Sequence, residues 1–246
     1  MKEMKNYSEY RPDNFPGRLI SATSVSLHVW DRQGKVKFQD MVQGCPQIDG
    51  AFLDANNNVY VMAVPPRQSN GKLLDDGTSQ TLMKFKQKKG RFISKSAEIP
   101  LQEGQIPKRP QEIKGFWVDD FEWMYGGVGF AGFNEKAKNG GCACWYTRFK
   151  LDYFARSFAP EPMQYSVAVL DANGNLITRI GRYGNIDSAG AKSKEPLGGD
   201  EVGLFHPCFV GTLTDKKLFI SDIGNERIVS VKLGYYKDVL LPITKK

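Results

Sequence analysis

The feature that most constrains this chain is a run of alternating apolar residues that occurs twice around an Asp-x-x-Gly turn. The two segments are SVSLHVWDRQGKVKFQDMV from Ser24 and YSVAVLDANGNLITRIGRYG from Tyr165. Alternation with a period of two predicts strands, and the polar, glycine-bearing turn joins them into a β-hairpin. TLMKFKQKKGRFISK from Thr81 fits the same pattern with a more basic tip, so we interpret it as a third copy.

A second kind of hairpin alternates with the first along the chain. AFLDANNNVYVMAV begins at Ala51, FKLDYFARSFAP begins at Phe149, and VGTLTDKKLFISD begins at Val210. Each has an apolar approach, an acidic residue at the turn and then an alternating strand, and the aligned acidic residues are Asp54, Asp152 and Asp215. One hairpin of each kind makes four antiparallel strands, which is the pattern of a propeller blade.

These units predict one all-β domain over residues 1–246, a β-propeller-like repeat of four-stranded antiparallel blades. At ~45 residues per blade the chain holds roughly three to four blades, which is few for a closed ring. The expected propeller is therefore incomplete, part of a larger one, or closed by additional blades or a partner chain. A segment rich in proline, glycine and aromatic residues, at about residues 97–144, interrupts the series as an insertion or a degenerate blade.

The last unit resembles an NHL repeat. The resemblance rests on residues 205–207 (Phe-His-Pro), 218–222 (a strand ending in Asp) and 225–229 (Asn-Glu-Arg-Ile-Val), and it covers about one blade. It implies a propeller in which Asp222 accepts hydrogen bonds from turn amides and Arg227 braces the outer hairpin.

Two further segments carry the resemblance beyond the last unit. VAVLDANGNLITRIGRYGN resembles the outer half of another NHL blade, and GGCACWYTRFKLDYFARSFAPE resembles NHL-like segments of large bacterial proteins. Those proteins are exported, so the resemblance favours a periplasmic or extracellular location. The first residues lack the apolar stretch of a signal peptide, and the abrupt start leaves open whether the chain is a piece of a longer protein whose targeting segment is absent.

All four cysteines and one of the two histidines precede the aligned acidic turns by similar distances. Cys45 lies 9 residues before Asp54, Cys142 and Cys144 lie 10 and 8 before Asp152, and His206 and Cys208 lie 9 and 7 before Asp215. In a propeller, these positions surround one mouth of the central channel. Three interpretations stay open: a metal site, a disulfide that joins Cys142 or Cys144 to Cys208, or plain packing of small apolar thiols. The metal site would hold zinc, copper or iron through Cys142, Cys144, His206 and Cys208.

The net charge of +7 raises nucleic acid as a partner, but the distribution of the lysines disfavours it. The densest cluster is Lys84, Lys86, Lys88 and Lys89, in and beside a predicted hairpin tip. No stretch of the sequence reaches the apolar length of a membrane span. His28 lies in an alternating strand, so we expect a packed or edge residue there rather than a general base.

Two functions follow from these patterns. The first is a non-catalytic binding or scaffolding module that takes a protein or small-molecule ligand at the channel mouth. The alternative is a metal-dependent enzyme at the same mouth, in which Arg148 would steady an anionic substrate beside the ion.

Overall fold

The computed structural model of the chain describes residues 25–74, 78–87, 90–94, 101–130, 147–196, 202–213 and 216–234. The described residues form strands and short 3-10 helices, without any α-helix among them, so the predicted all-β class is confirmed. Within these ranges, no helix combines the length and the apolar character needed to cross a membrane. The 3-10 helices are Glu103–Gln105, Pro162–Gln164 and Ile223–Asn225.

The strands in chain order are β1 (Val25–Trp30), β2 (Val36–Cys45), β3 (Ile48–Leu53), β4 (Val59–Ala63), β5 (Gln68–Ser69), β6 (Lys72–Leu73), β7 (Gln80–Phe85), β8 (Gly90–Ser94), β9 (Phe116–Asp119), β10 (Phe121–Val128), β11 (Lys150–Leu151), β12 (Ser157–Glu161), β13 (Ser166–Leu170), β14 (Leu176–Ile180), β15 (Arg182–Tyr183), β16 (Gly203–Leu204), β17 (Pro207–Leu213), β18 (Lys217–Asp222) and β19 (Arg227–Lys232).

Four sheets account for most of these strands. The first sheet has the order β1-β2-β8-β9 and contains one parallel pair, β2 with β8. The second sheet, β3-β4-β7-β10, and the third sheet, β11-β12-β13-β14, are antiparallel throughout. The fourth sheet is the antiparallel array β17-β18-β19. Two-stranded ladders, β5-β6 and β15-β16, lie outside these four.

The predicted hairpins are confirmed in five places and wrong in one. β1-β2 and β13-β14 are hairpins of the first kind, and β3-β4, β11-β12 and β17-β18 are hairpins of the second kind. The segment from Thr81 is not a hairpin, because β7 pairs with β4 and β10 while β8 joins the first sheet. β7 is buried on both faces, and this includes Lys84 of the basic cluster. Its Nζ bonds to Glu122 at 2.9 Å and to the carbonyl oxygen of Ala172 at 3.0 Å.

Four of the hairpin turns share one hydrogen-bond pattern. In each, the Oδ1 atom of the aspartate at position i accepts the backbone N–H groups of residues i+2 and i+4, at 2.8–3.0 Å. The residue at i+3 has a positive φ, which lets the five-residue connection follow the twist of the strands. The four aspartates are Asp31, Asp54, Asp152 and Asp171, and the residues with positive φ are Gly34, Asn57, Ala155 and Gly174.

The four sheets form a series in which each packs face to face on the next. Val61 and Phe85 of the second sheet pack against the first sheet, and Tyr60 and Leu82 on its other face pack against the third. Phe158 and its neighbours on the far face of the third sheet pack against the fourth. Each large side chain that is fully buried in this way contributes about 1.5–3 kcal/mol, so the three apolar layers hold the series together.

Residues 101–130 of the proline- and aromatic-rich segment supply strands to two different sheets. β9 lies at the edge of the first sheet, and β10 lies at the edge of the second. The open edge of β9 is satisfied by side chains, because Glu112 accepts the N–H of Val118 at 2.8 Å and Arg109 donates to its carbonyl oxygen at 3.2 Å. Residues 97–100 and 131–144 lie outside the described ranges.

Candidate functional site

The N-terminal ends of β3, β11 and β17 meet at one end of the molecule, which we call the upper end. These strands, here named the leading strands, are each the first of their sheet and lie at its edge. Arg148, just before β11, donates its backbone N–H to the carbonyl oxygen of Cys208 in β17 at 2.9 Å. Its guanidinium Nη1 lies 3.4 Å from the Oδ1 of Asp49 in β3. One arginine therefore contacts the start of all three leading strands.

A buried polar chain lies beneath Arg148. Asp49 Oδ2 accepts a hydrogen bond from the side-chain amide of Gln80, and the Thr147 hydroxyl donates to the other end of that amide at 2.8 Å. All three side chains are buried. Gly129 approaches this chain so closely that a Cβ atom there would collide with Gln80. The fold thus brings together three polar side chains, which are Asp49 from β3, Gln80 from β7 and Thr147 from the segment before β11.

The electrostatics of the upper end favour binding of a polar ligand group. Burial raises the pKa of the Asp49 carboxyl, and the hydrogen bond from Gln80 and the charge of Arg148 oppose that shift. The Arg148 side chain is 45% exposed, so it faces solvent as well as Asp49. Its remaining N–H donors can reach an anion or a carbonyl oxygen, because a guanidinium carries five donors in a fixed plane.

The predicted metal ligands are only partly within the described residues. His206 and Cys208 lie at the upper end, whereas Cys142 and Cys144 fall in residues 131–146, outside the description. In the described part of the chain, no group of three or more His, Cys, Asp or Glu side chains is arranged to hold a metal ion. Cys45 and Cys208 are both buried and free, so Cys208 takes no part in a disulfide.

His206 and Cys208 have the properties of packed, uncharged groups. Burial lowers the pKa of the His206 imidazole, although nearby Asp222 partly offsets this, and the ring lies edge-on to Phe130 at 5.9 Å between centroids. Burial raises the pKa of the Cys208 thiol to about 12, with a further rise from Asp222. At neutral pH the imidazole is therefore neutral and the thiol is protonated.

Asp222 has the structural role that the sequence predicted. Its Oδ1 accepts the backbone N–H groups of Phe205 at 3.1 Å and His206 at 2.8 Å. Its Oδ2 accepts from the Asn225 amide at 2.7 Å and lies 3.5 Å from Arg227 Nε. Arg227 also donates to the carbonyl oxygen of Gly203. The fully buried carboxylate thus ties the approach to β17 to the turn between β18 and β19.

Glu161 occupies the corresponding place in the third sheet, and the sequence patterns did not identify it. Like Asp222, it ends a strand, precedes a 3-10 helix and is followed by a left-handed cap residue, here Tyr165. Its buried carboxylate accepts from Tyr125 at 3.0 Å and Arg179 at 2.8 Å. Burial, followed by the charge of Glu161, raises the pKa of Tyr125 to about 12. The shared strand–helix–cap order is the signal that could have found Glu161.

His28 is an edge residue, as predicted. It lies on β1 at the edge of the first sheet, is exposed, and its Nδ1 accepts the N–H of Asp40 at 3.3 Å.

Comparison with known proteins assigns neither a family nor a function to the chain. No protein-family model matches the chain, and no curated protein sequence matches it significantly.

Proposed function

We propose that the chain is a non-catalytic binding or scaffolding module, built as a β-propeller-like series of NHL-type blades, with its ligand site at the upper end. The ligand is a protein segment or a small molecule that presents an anionic or carbonyl group to Arg148. The proposal thus assigns the buried polar chain of Asp49, Gln80 and Thr147 to holding that arginine in place.

The observation that carries the proposal is the position of Arg148. Its backbone bonds to Cys208 in the fourth sheet, it leads into the third sheet, and its guanidinium pairs with Asp49 in the second. In a radial arrangement of blades, the starts of successive inner strands converge at one mouth of the channel. The parallel bridge between Arg148 and Phe209 supports the same arrangement, since inner strands of neighbouring blades run in one direction.

A second support is the contrast between Asp49, which is buried and held in place, and Arg148, which faces solvent. Asp49 is held by a side-chain amide and is nearly inaccessible, while Arg148 keeps almost half of its side chain exposed. A ligand carboxylate can bind the guanidinium at little reorganisation cost, because Asp49 already fixes its orientation.

The proposal is tested by screening a fragment library of carboxylates and amides with amide NMR spectra of the isotopically labelled protein. We expect the largest shift changes at Asp49, Thr147, Arg148 and residues 205–209. Arg148→Gln should weaken the best fragment at least about tenfold, because a charge-assisted pair is lost. Arg91→Gln, which removes an ion-paired arginine from the first sheet, should leave the affinity unchanged. Shift changes that cluster elsewhere, or equal losses in both variants, would contradict the proposal.

The metal-dependent enzyme remains the alternative because His206 and Cys208 lie at the same end as Arg148. Elemental analysis with thiol titration of the purified protein separates the two functions. The binding module predicts titratable thiols after unfolding and no stoichiometric metal. Stoichiometric zinc, copper or iron that is lost in a Cys208→Ala variant would instead favour the enzyme.

A further inference from the structure

Two Asn-Gly pairs lie at hairpin tips of the described residues, and the fold holds them differently. Asn70 and Gly71 form the loop between β5 and β6, whereas Asn173 and Gly174 lie in the turn between β13 and β14. Both asparagines are exposed, so access to water does not distinguish the two pairs. A third Asn-Gly pair, at residues 139–140, lies outside the described ranges.

An Asn-Gly pair can lose its side-chain amide without an enzyme. The backbone nitrogen of the glycine attacks Cγ of the asparagine, a C–N bond forms, and the side-chain nitrogen leaves as ammonia with the proton of the glycine N–H. One water molecule then opens the five-membered succinimide to aspartate or isoaspartate, and no oxidant or reductant takes part. Glycine favours the attack because it has no Cβ and its backbone rotates freely. The reaction therefore requires that the glycine nitrogen is free to turn toward the side chain.

The turn between β13 and β14 restrains its Asn-Gly pair. The Gly174 N–H donates to the carbonyl oxygen of Asp171 at 3.1 Å, and the Asn173 N–H donates to Asp171 Oδ1 at 2.8 Å. The carbonyl oxygen of Ala172, inside the same turn, accepts a hydrogen bond from Trp123 Nε1 of the second sheet at 3.1 Å. The turn must therefore open against bonds of its own and a bond from the second sheet before the glycine nitrogen reaches the side chain.

The loop between β5 and β6 leaves its glycine nitrogen unrestrained. Asn70 has a φ of 50° and Gly71 has a φ of 78°, which is typical of a two-residue type I′ turn. In such a turn the ladder bond joins the flanking residues, here Ser69 and Lys72, and the N–H of the second central residue points to solvent. Among the described residues, no backbone group accepts a hydrogen bond from the Gly71 N–H.

The ladder that carries this loop is short and lies outside the four sheets. It consists of two residue pairs, and all residues from 69 to 74 are exposed. Its base is fixed, because Gln68 donates its N–H to the carbonyl oxygen of Glu112 at 2.8 Å. Segments with few buried contacts and solvent-exposed hydrogen bonds open at low free energy. The tip of this ladder can therefore open while the four sheets stay intact.

We propose that Asn70 is a site of spontaneous deamidation in the folded protein, with Gly71 supplying the attacking nitrogen, and that the turn between β13 and β14 protects Asn173 from the same reaction. The product places a carboxylate at the tip of the β5-β6 ladder. Isoaspartate also adds a methylene group to the main chain, so the two-residue loop no longer matches the register of Ser69 and Lys72. The site does not depend on what binds at the upper end.

Peptide mapping by mass spectrometry, after the purified folded chain is incubated at mildly alkaline pH, measures the rate at each asparagine. We expect Asn70 to deamidate at least about tenfold faster than Asn173, which corresponds to about 1.4 kcal/mol in the free energy of opening. In urea, which unfolds both turns, the two rates should converge. Equal rates in the folded protein, or a difference that persists unchanged in urea, would overturn the proposal.

Two substitutions test the cause of the difference. Asp171→Ala removes the acceptor of the Asn173 N–H, so it should speed deamidation of Asn173 and leave the rate at Asn70 unchanged. Gly71→Ala should slow the reaction at Asn70, because a Cβ obstructs the attack. The space around Gly71 is open, so this variant is expected to fold, and circular dichroism checks both variants. Continued protection of Asn173 in Asp171→Ala, or an unchanged rate at Asn70 in Gly71→Ala, would contradict the proposal.

Discussion

Three glycines differ in backbone φ and in the space available to a side chain. Gly104 has an ordinary φ and open space around it, Gly34 has a φ of 79° and open space, and Gly174 has a φ of 82° with Trp123 nearby. A Cβ on Gly174 would lie 2.6 Å from that indole ring. Substituting alanine at each position therefore separates the loss of stability that comes from the left-handed conformation from the loss that comes from steric contact.

We expect stability to fall in the order Gly104→Ala, Gly34→Ala, Gly174→Ala. Gly104→Ala should be neutral or slightly stabilising, because alanine restricts the unfolded chain. Gly34→Ala should cost about 1 kcal/mol for the left-handed conformation alone, and Gly174→Ala should cost a further 1–3 kcal/mol or so from overpacking. Urea unfolding measures the three values. Equal losses for Gly34 and Gly174 would show that Trp123 yields without cost.

Single residues were predictable from the sequence where their partners are local. The turn aspartates bond to amides two and four residues away, so Asp54 and Asp152 could be identified from spacing alone. Asp49 could not, because its amide partner Gln80 is 31 residues distant and Thr147 is a further 67 residues along. The function of a buried acid is set by groups that only the fold brings together.

At the scale of elements, the turn between β18 and β19 depends on one buried carboxylate. Asp222→Ala removes the acceptor of two backbone N–H groups and the partner of Arg227. We expect a loss of about 2–4 kcal/mol in the free energy of unfolding, because two backbone amides lose their acceptor and the partly exposed guanidinium of Arg227 loses its buried partner. Thermal and urea unfolding, followed by circular dichroism, measure this loss.

Asp31→Ala is the matched comparison for Asp222. Asp31 also accepts two backbone N–H groups, but its turn is exposed and water can replace the lost acceptor. Its substitution should cost much less than that of Asp222. If the two losses are similar, the burial of Asp222 contributes little and the hydrogen bonds alone explain its role.

Pairing between elements was predictable for hairpins and not for distant strands. The five confirmed hairpins join strands through short turns whose sequences favour reversal. β7 and β8 are also neighbours in sequence, yet β10 takes the place beside β7. Gly126 and Gly127 interrupt the alternation of β10, so the sequence does not identify it as a strand. Gly126 lies against the Arg67 side chain. Alternation alone therefore cannot decide which of two candidate strands pairs with β7.

For the whole molecule, stability at alkaline pH is coupled to a thiol in the layer between the first two sheets. Burial raises the pKa of Cys45 from about 9 to about 12. Between these pH values the folded protein keeps the proton and the unfolded chain releases it. The stabilisation is complete below about pH 9 and is lost as the pH rises, at about 1.4 kcal/mol per pH unit.

Urea unfolding at several pH values between 9 and 12 tests this coupling. Cys45→Val keeps an apolar side chain of similar size and removes the ionisable group. We expect the stability of wild type to fall more steeply with pH than that of the variant. Parallel pH profiles would mean that the Cys45 thiol titrates normally in the folded protein.

The sequence did not predict which strands join each sheet. The repeats predicted consecutive four-stranded units, and the third sheet and the second kind of hairpin fit that expectation. The first sheet does not, since it combines β1 and β2 with β8 and β9 from 45 or more residues further on and includes a parallel pair. Periodicity reports which side of a strand is apolar, whereas the partner sheet is chosen by packing over the whole chain.

The two ends of the series of sheets differ, because Phe209, Leu213 and Ile228 are exposed on the outer face of the fourth sheet, whereas the exposed side chains on the outer face of the first sheet include Lys37, Gln39 and Arg91. A duplicated coding segment inserted after β19 would supply a sheet for Ile228 and Phe209 to pack against. The same insertion before β1 would have to cover Lys37 and Gln39, which gain nothing from burial. Lengthening of such a protein during evolution would thus be tolerated on its carboxyl-terminal side.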